Sequence, residues 1–135
     1  MKKTIEVLFP GGMEIDAKTD GMEIKTDQRE RNGGKRAYPE PFEYFLASIA
    51  TCSGSYAADY CLQHDLAIDG LGMRLHAEWN REKRMMSHFE LELAFSSAFT
   101  EDHKKAIVKE IEDCTVKRHL REDIQFVVRV IDKSE

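Results

Sequence analysis

Hydrophobic residues alternate with polar ones in three short segments near the start of the chain. Residues 4–9 and the segments that begin at Met13 and Met22 carry apolar side chains at every second position. This is the period of a β-strand. A Pro-Gly-Gly sequence separates the first two segments, and an Asp-Gly dipeptide, typical of tight hairpins, separates the last two. The pattern predicts a three-stranded antiparallel meander.

A long apolar stretch from Pro41 to about His64 predicts the central helix. Its apolar residues recur at helical spacing, and only Glu43 and Asp59 are charged between Pro41 and Cys61. A helix with so narrow a polar face is buried over most of its circumference. One face of a six-stranded sheet cannot cover that much surface, so we expect a homodimer, most simply a two-fold one.

The polar segment 27–40 precedes this helix and predicts a loop of a length that is often functional or mobile. It carries Arg29, Arg31 and Arg36. Two interpretations stand at this point. The loop is solvated, as most such loops are, or one of its arginines folds back over the middle of the central helix.

In the second half of the chain, the hydrophobic pattern again combines the two-residue period of strands with the spacing of a helix. Alternation over 71–79 and 85–95 predicts a long antiparallel hairpin with one apolar and one charged face. Thr100 is expected to cap a second helix, whose buried face would carry Ile107, Ile111 and Cys114 at spacing i, i+4, i+7.

Alternation over 124–131 predicts a last strand. The resulting order, βββ–α–ββ–α–β, defines an α+β fold. The length of 135 residues fits a single domain over residues 1–135.

Composition narrows the classes of function. A net charge of −5 argues against non-specific binding to nucleic acid, which needs a basic surface. Neither a membrane span nor a signal peptide is recognisable, so we expect a cytoplasmic protein with reduced thiols. The five histidines are scattered, and neither a Cys/His cluster nor a glycine-rich phosphate loop is present. We therefore predict no metal and no cofactor.

Cys52 is the candidate reactive group, because it lies at the centre of the predicted helix among small residues that leave room for a ligand. Ser48 and Tyr56 lie one turn on either side and are candidates for lining a pocket. The alternative is that both are packing residues with a satisfied hydroxyl group. Cys61 falls on the opposite helical face and is expected in the core.

Two cysteine motifs in this setting resemble those of the OsmC/Ohr family of thiol-dependent, peroxide-metabolising proteins. They are P-x-E-x-x-L-x-x-x-x-x-C, with Pro41, Glu43, Leu46 and Cys52, and C-x-V-x-x-x-L, with Cys114, Val116 and Leu120. The order of strands and helices also resembles that family over essentially the whole chain. The first motif is more similar to the general OsmC-like branch than to the dedicated hydroperoxide-resistance branch.

The resemblance implies an intertwined homodimer with two active sites at the subunit interface. It makes Cys52 the peroxide-attacking cysteine and Cys114 the resolving cysteine. In the better-known branches an arginine and a glutamate hold the thiolate, and the arginine comes from the early strands. This chain has no arginine before Arg29, so Arg29, Arg31 and Arg36 are the candidates. Glu43 is either the matching glutamate or an acid that only stabilises the first helical turn.

The predicted function is therefore that of an oxidoreductase, a cysteine-based peroxidase. It would reduce organic hydroperoxides, with hydrogen peroxide as a further candidate, through a Cys52 sulfenic acid and a Cys52–Cys114 disulfide. A dithiol reductant, of the lipoyl type or thioredoxin-like, would restore the thiols. Two alternatives stay open: a non-catalytic module that binds a small ligand, and a protein of thiol–disulfide exchange.

Overall fold

The structure is a computed structural model that describes residues 1–112 and 114–120. The chain forms two compact units, Met1–Ser48 and Ile49–Glu135. The predicted last strand, 124–131, lies outside the described residues. Among the helices in the described part of the chain, none is both long and apolar enough to cross a membrane.

The first unit contains the predicted meander. Strands β1 (Glu6–Gly11), β2 (Glu14–Thr19) and β3 (Met22–Thr26) form an antiparallel sheet in that order. Asp20 and Gly21 join β2 to β3 with φ values of 47° and 78°. Two successive positive φ angles are those of a type I′ turn, whose twist matches that of a hairpin. The three-stranded sheet is confirmed.

Asp27 organises the loop that follows β3. Its buried carboxylate accepts hydrogen bonds from the backbone N–H groups of Gln28, Lys35 and Ala37, at 2.7, 3.2 and 3.0 Å. These amides lower the pKa of Asp27, because they stabilise the carboxylate. Gly34 permits the fold of the loop, since a Cβ atom there would lie 1.9 Å from the carbonyl oxygen of Gln28.

The central helix α1 (Pro41–Gln63) begins at the predicted residue, and the boundary between the two units falls within it. Its fully covered positions recur every fourth residue, at Ile49, Ser53, Ala57 and Cys61. Three of these side chains are small, so that a neighbouring element can approach the helix closely.

The second unit contains the predicted hairpin and second helix. Strands β4 (Leu71–Asn80) and β5 (Met85–Phe95) pair antiparallel, and α2 runs from Glu101 to Glu112. The Oγ1 atom of Thr100 accepts the N–H of His103 at 3.2 Å, which confirms the predicted cap. The pairing register shifts between Glu78 and Trp79, and Trp79 is 59% exposed rather than part of the apolar face.

The core of this unit lies between α1, α2 and the apolar face of the hairpin. It is centred on five buried residues: Ala57, Cys61, Phe99, Ile107 and Ile111. The prediction that Cys61 is a core residue is confirmed.

Cys114 is buried as predicted, but it does not belong to the second helix. Helix α2 ends at Glu112, and Cys114 is the extended N-cap residue (φ −70°, ψ 155°) of a short helix α3 (Thr115–Arg118). In a continuous helix the N–H of Lys117 would be used four residues back along the chain. Because Cys114 starts a new helix, that N–H is available to the thiol group instead.

Candidate active site

Cys52 and Cys114 are brought together in the second unit. Cys52 lies on α1 and is half-buried, whereas Cys114 lies at the start of α3 and is fully buried. Both cysteines are reduced, and Cys52 lies close enough to Cys114 to contribute to the stabilisation of its thiolate. The two predicted redox cysteines are therefore neighbours in the folded chain, and Cys52 is partly open to an approaching molecule.

The surroundings of Cys114 favour its ionised form. Burial opposes ionisation, but the backbone N–H of Lys117 and the side chains of Cys52 and Ser53 stabilise the thiolate, with a smaller contribution from the charge of Lys117. The net result is a pKa of Cys114 below its ordinary value. The thiolate is the reactive form in nucleophilic and disulfide chemistry, and a lowered pKa increases its fraction at a given pH.

Ser53 links the central helix to this thiol. Its side chain is fully buried, and its Oγ atom donates a hydrogen bond to the carbonyl oxygen of Ile49 at 2.8 Å. Its contact with Cys114 places a polar group beside a sulfur that is otherwise shielded from water. Ser53 therefore belongs to the site, although the sequence identified it only as a small neighbour of Cys52.

Three polar side chains from residues that neighbour the two cysteines along the chain form a group, which we call the hydroxyl–guanidinium group. The Oη atom of Tyr56 lies 3.1 Å from the Oγ1 atom of Thr115. The Nη2 atom of Arg118 lies 3.4 Å from each of these two oxygens. Tyr56 follows Cys52 by one helical turn, and Thr115 directly follows Cys114.

An apolar cavity of about 270 Å³ opens in the same unit. Lys117 and Glu112 are its charged lining residues, and the Nζ atom of Lys117 donates to the carbonyl oxygen of Ile111 at 3.2 Å. The remaining lining residues are apolar: Ile49, Leu75, Phe89, Leu91, Leu93, Val108 and Ile111. Ile49 accepts the hydrogen bond of Ser53, and Lys117 stabilises the Cys114 thiolate. The cavity therefore adjoins residues that surround the thiol pair.

The charged candidates of the first unit form ion pairs with one another. Arg36 pairs with both carboxylate oxygens of Glu43, at 2.7 and 3.1 Å, and Arg29 pairs with Glu40. The Oε1 atom of Glu43 also accepts the backbone N–H of Glu40 at 3.0 Å. This is the return half of a capping box at the start of α1.

These partners lower the pKa of Glu43 to about 2, and the hydrogen bond from Arg36 is the main cause. Glu43 therefore stabilises the first turn of the helix, as one of its two predicted roles requires. Its predicted catalytic role stays a prediction, and so do those of Arg29 and Arg36.

The other two candidates of the first unit have local surroundings. Arg31 lies in a single 3-10 turn, Glu30–Asn32, is exposed, and forms no ion pair with the residues that the structure describes. The hydroxyl group of Ser48 donates to the carbonyl oxygen of Phe45 at 2.6 Å, so its hydrogen bond is satisfied within its own helix.

Sequence reasoning missed Ser53, Thr115, Lys117 and Arg118. Cations such as Lys117 and Arg118 are common near the end of a helix. A signal was available, because Thr115, Lys117 and Arg118 all lie within four residues of a predicted redox cysteine. Among residues 1–112 and 114–120, no group of three or more His, Cys, Asp or Glu side chains could hold a metal ion.

Comparison with known proteins identifies the class to which this fold and cysteine pair belong. A family model described as "OsmC-like protein" matches residues 33–129, which is more than half of the chain. The chain belongs to the OsmC-like protein family, and the resemblance drawn from the two cysteine motifs is confirmed. No curated protein sequence matches the chain.

Solved structures share the α+β fold with antiparallel sheets and two main helices. A putative osmotic stress induced and detoxification response protein from Psychrobacter arcticus is 19% identical, with a TM-score of 0.75 and 91% of each chain covered. An OsmC-like protein from Mycoplasma pneumoniae is 16% identical, with a TM-score of 0.69, covering 91% of this chain and 89% of that chain.

A third structure comes from Legionella pneumophila and is described as an organic hydroperoxide resistance protein OsmC, a predicted redox protein and regulator of sulfide bond formation. It is 16% identical, with a TM-score of 0.57 and 91% of each chain covered. At these identities the likeness concerns the fold alone.

Proposed function

We propose that this protein is a thiol-dependent peroxidase that reduces organic hydroperoxides through a Cys52–Cys114 disulfide. The observation that carries the proposal is that a half-buried Cys52 and a buried Cys114, 62 residues apart in the sequence, are brought close to each other, and the pKa of Cys114 is lowered. Membership of the OsmC-like family supports a redox role, and so does the description of the Legionella pneumophila protein.

The greater accessibility of Cys52 supports a role for it in the first step. The Cys52 thiol loses its proton to solvent, which leaves the negative charge on the sulfur that a substrate can reach. The Cys52 thiolate attacks the terminal oxygen of the hydroperoxide, so that an S–O bond forms and the O–O bond breaks. The alkoxide leaves with the electron pair and takes up a proton to become an alcohol, and Cys52 becomes a sulfenic acid.

The surroundings of Cys114 support a role for it in the second step. Its thiolate attacks the sulfur of the sulfenic acid, an S–S bond forms, and hydroxide leaves and becomes water on taking up a proton. A lowered pKa increases the fraction of the resolving sulfur that is in the thiolate form. An external dithiol, lipoyl-type or thioredoxin-like, then reduces the disulfide by two exchange steps and returns both cysteines to thiols.

The apolar cavity supports a substrate with a hydrocarbon portion. Seven of its nine lining residues are apolar, which suits an organic hydroperoxide better than a small polar oxidant. A homodimer remains part of the proposal. It is supported by apolar side chains of α1 that a single chain leaves open, among them Phe42 at 46% and Leu62 at 69% exposure.

Mass spectrometry of the reduced protein after one equivalent of cumene hydroperoxide tests the proposal. The wild type should form a Cys52–Cys114 disulfide. The Cys114→Ser variant should instead accumulate a Cys52 sulfenic acid that dimedone traps, and Cys52→Ser should form neither product. Cys61→Ser is the matched control and should behave as the wild type, because Cys61 belongs to the core.

Three unmodified thiols in the wild type after prolonged exposure would contradict the proposal and favour the module that binds a small ligand. Rapid formation of the disulfide with an oxidised dithiol, together with no reaction with any peroxide, would instead favour thiol–disulfide exchange.

A further inference from the structure

The hydroxyl–guanidinium group of Tyr56, Thr115 and Arg118 has no role in the two cysteine steps described above. It contains two hydroxyl groups and one permanent positive charge within 3.4 Å of one another. Tyr56 is half-buried, and Thr115 and Arg118 are exposed, so that a small molecule can reach the group from solvent.

Position along the chain places this group at the cysteine pair. Tyr56 is four residues after Cys52 on α1, where successive turns of a helix bring side chains to the same face. Thr115 is the first residue of α3, directly after Cys114, and the N–H of Arg118 donates to the carbonyl oxygen of Cys114 at 3.1 Å. Each of the three residues is therefore linked to one of the two cysteines, by its position along the chain or by a backbone hydrogen bond.

The chemistry of peroxide cleavage requires donors at this place. Attack by a thiolate breaks the O–O bond and develops negative charge on the departing oxygen, and an alkoxide is a poor leaving group unless it is protonated or stabilised. Preorganised donors aimed at developing charge are among the strongest contributions to catalysis. Among the hydroxyl groups of the site, the phenol of Tyr56 is the strongest acid, and a neighbouring guanidinium stabilises the phenolate that remains.

Resting on the proposed peroxidase activity, we propose that Tyr56 is a further catalytic residue that donates its phenolic proton to the departing alkoxide. Thr115 and Arg118 are positioning residues that hold the phenol and stabilise the phenolate. The step balances: Cys52 gains the terminal oxygen, the alkoxide keeps the electron pair of the O–O bond, and the Tyr56 proton converts it to an alcohol. Solvent then reprotonates Tyr56.

Lys117 is the other cation near the pair, and its contacts give it a different part. Its backbone N–H and its charge stabilise the Cys114 thiolate, and its Nζ atom is bonded to the carbonyl oxygen of Ile111. Lys117 therefore stabilises the charge on the sulfur rather than the charge on the leaving oxygen. The two functions, thiolate stabilisation and leaving-group protonation, can be measured separately.

The test compares peroxides whose leaving groups differ in their need for a proton. The Tyr56→Phe variant should form the Cys52 sulfenic acid about a hundredfold more slowly than wild type with an alkyl hydroperoxide, which releases an alkoxide. With a peracid, which releases a stable carboxylate, its rate should stay within about threefold of wild type. The rate of Cys52 alkylation by iodoacetamide, which needs no proton donor, should be unchanged.

Tyr60→Phe is the matched control, since Tyr60 lies one turn further along α1 and its hydroxyl group is bonded to the Nδ1 atom of His103 at 2.9 Å. It should react at the wild-type rate with both classes of peroxide. Arg118→Lys should retain more of the alkyl hydroperoxide rate than Arg118→Met, because it keeps the charge.

Equal loss of rate with alkyl hydroperoxide, peracid and iodoacetamide in Tyr56→Phe would show a merely structural residue and overturn this inference alone. An unchanged rate with alkyl hydroperoxide would overturn it as well. A wild-type protein that forms no sulfenic acid with any peroxide would overturn the proposed peroxidase activity, and this inference would fall with it.

Discussion

Cys61 and Cys114 are both fully buried, but their thiol pKa values are shifted in opposite directions. Each has an exposed fraction of 0%. Burial raises the pKa of Cys61, which lies in the core of the second unit among apolar side chains. The pKa of Cys114 is lowered, because an amide, a hydroxyl group and a second thiol outweigh the effect of burial.

The contrast shows that burial alone does not decide the direction of a thiol's pKa shift; its polar partners decide it as well. Both cysteines fall on apolar faces of the sequence pattern, and an argument from burial alone would call both inert. The difference arises from the backbone. Cys61 lies inside a continuous helix, whose amides are already bonded, whereas Cys114 lies at a helix start, where amides remain available.

The largest difference should appear when each thiol is removed in turn. Cys114→Ser should lose peroxide turnover supported by a dithiol, because no resolving sulfur remains and the Cys52 sulfenic acid persists. Cys61→Ser should keep turnover. The measurement is consumption of cumene hydroperoxide in the presence of dihydrolipoamide. Turnover that survives in Cys114→Ser and disappears in Cys61→Ser would reverse the assignment of the two thiols.

Removal of the core thiol Cys61 should affect the free energy of unfolding rather than peroxide turnover. Cys61→Ala removes a sulfur from the packed core and should lower the free energy of unfolding by about 1–2 kcal/mol. The measurement is urea unfolding at neutral pH under reducing conditions. Ala58→Gly on the same helix is a useful comparison, since it alters backbone propensity and leaves the core thiol in place. No change of the midpoint in Cys61→Ala would contradict the packing role.

The sequence predicted the features that depend on neighbouring residues. The Asp-Gly hairpin, the Thr100 cap and the alternating strands β4 and β5 follow from signals within a few positions. The contacts of the site do not, because Tyr56 and Arg118 are 62 residues apart and meet only in the folded chain.

Two site residues were also misread for physical reasons. The spacing i, i+4, i+7 correctly placed Cys114 in the buried direction, but it could not show that the helix ends before the thiol. The sequence identified Ser53 only as a small residue beside Cys52, because nothing local showed that its hydroxyl group would face a distant sulfur. The acidity of Cys114 therefore could not be predicted from the sequence.

Ser53 offers a direct test of the partners of Cys114. Ser53→Ala removes a polar side chain that favours the thiolate and should raise the pKa of Cys114. The measurement is the ultraviolet thiolate absorbance as a function of pH, in a Cys52→Ser, Cys61→Ala background so that the other two thiols do not contribute.

Ser55→Ala is the matched control for this titration. Ser55 lies two residues further along the same helix, and its exposed hydroxyl group donates to the carbonyl oxygen of Cys52 at 2.7 Å. Its removal should leave the titration unchanged. If both variants titrate as the parent does, the hydroxyl group of Ser53 is not a significant partner of the thiolate.

Glu43 extends the comparison from thiols to a half-exposed carboxyl group. Of the changes predicted here, its substitution should have the smallest effect. Its partners Arg36 and the N–H of Glu40 lower its pKa from 4.5 to about 2. A depressed pKa stabilises the folded state above the unfolded value and loses that stabilisation as the pH falls. The contribution of Glu43 should therefore be complete above pH 4.5 and disappear between pH 4.5 and about pH 2.

Because the side chain of Glu43 is 41% exposed, solvent screens the pair, and its contribution should not exceed about 1 kcal/mol. Glu43→Gln should lower the thermal midpoint by a few degrees at pH 7 and by less at pH 3, where the wild type has begun to lose the same interaction. Arg36→Gln should lower the midpoint at pH 7 by at least as much, since Arg36 pairs with Glu40 as well as with Glu43. A difference between wild type and Glu43→Gln that grows on acidification would contradict the sign of this pKa shift. It would also show that partner contacts do not control acidity at this position as they do at Cys114.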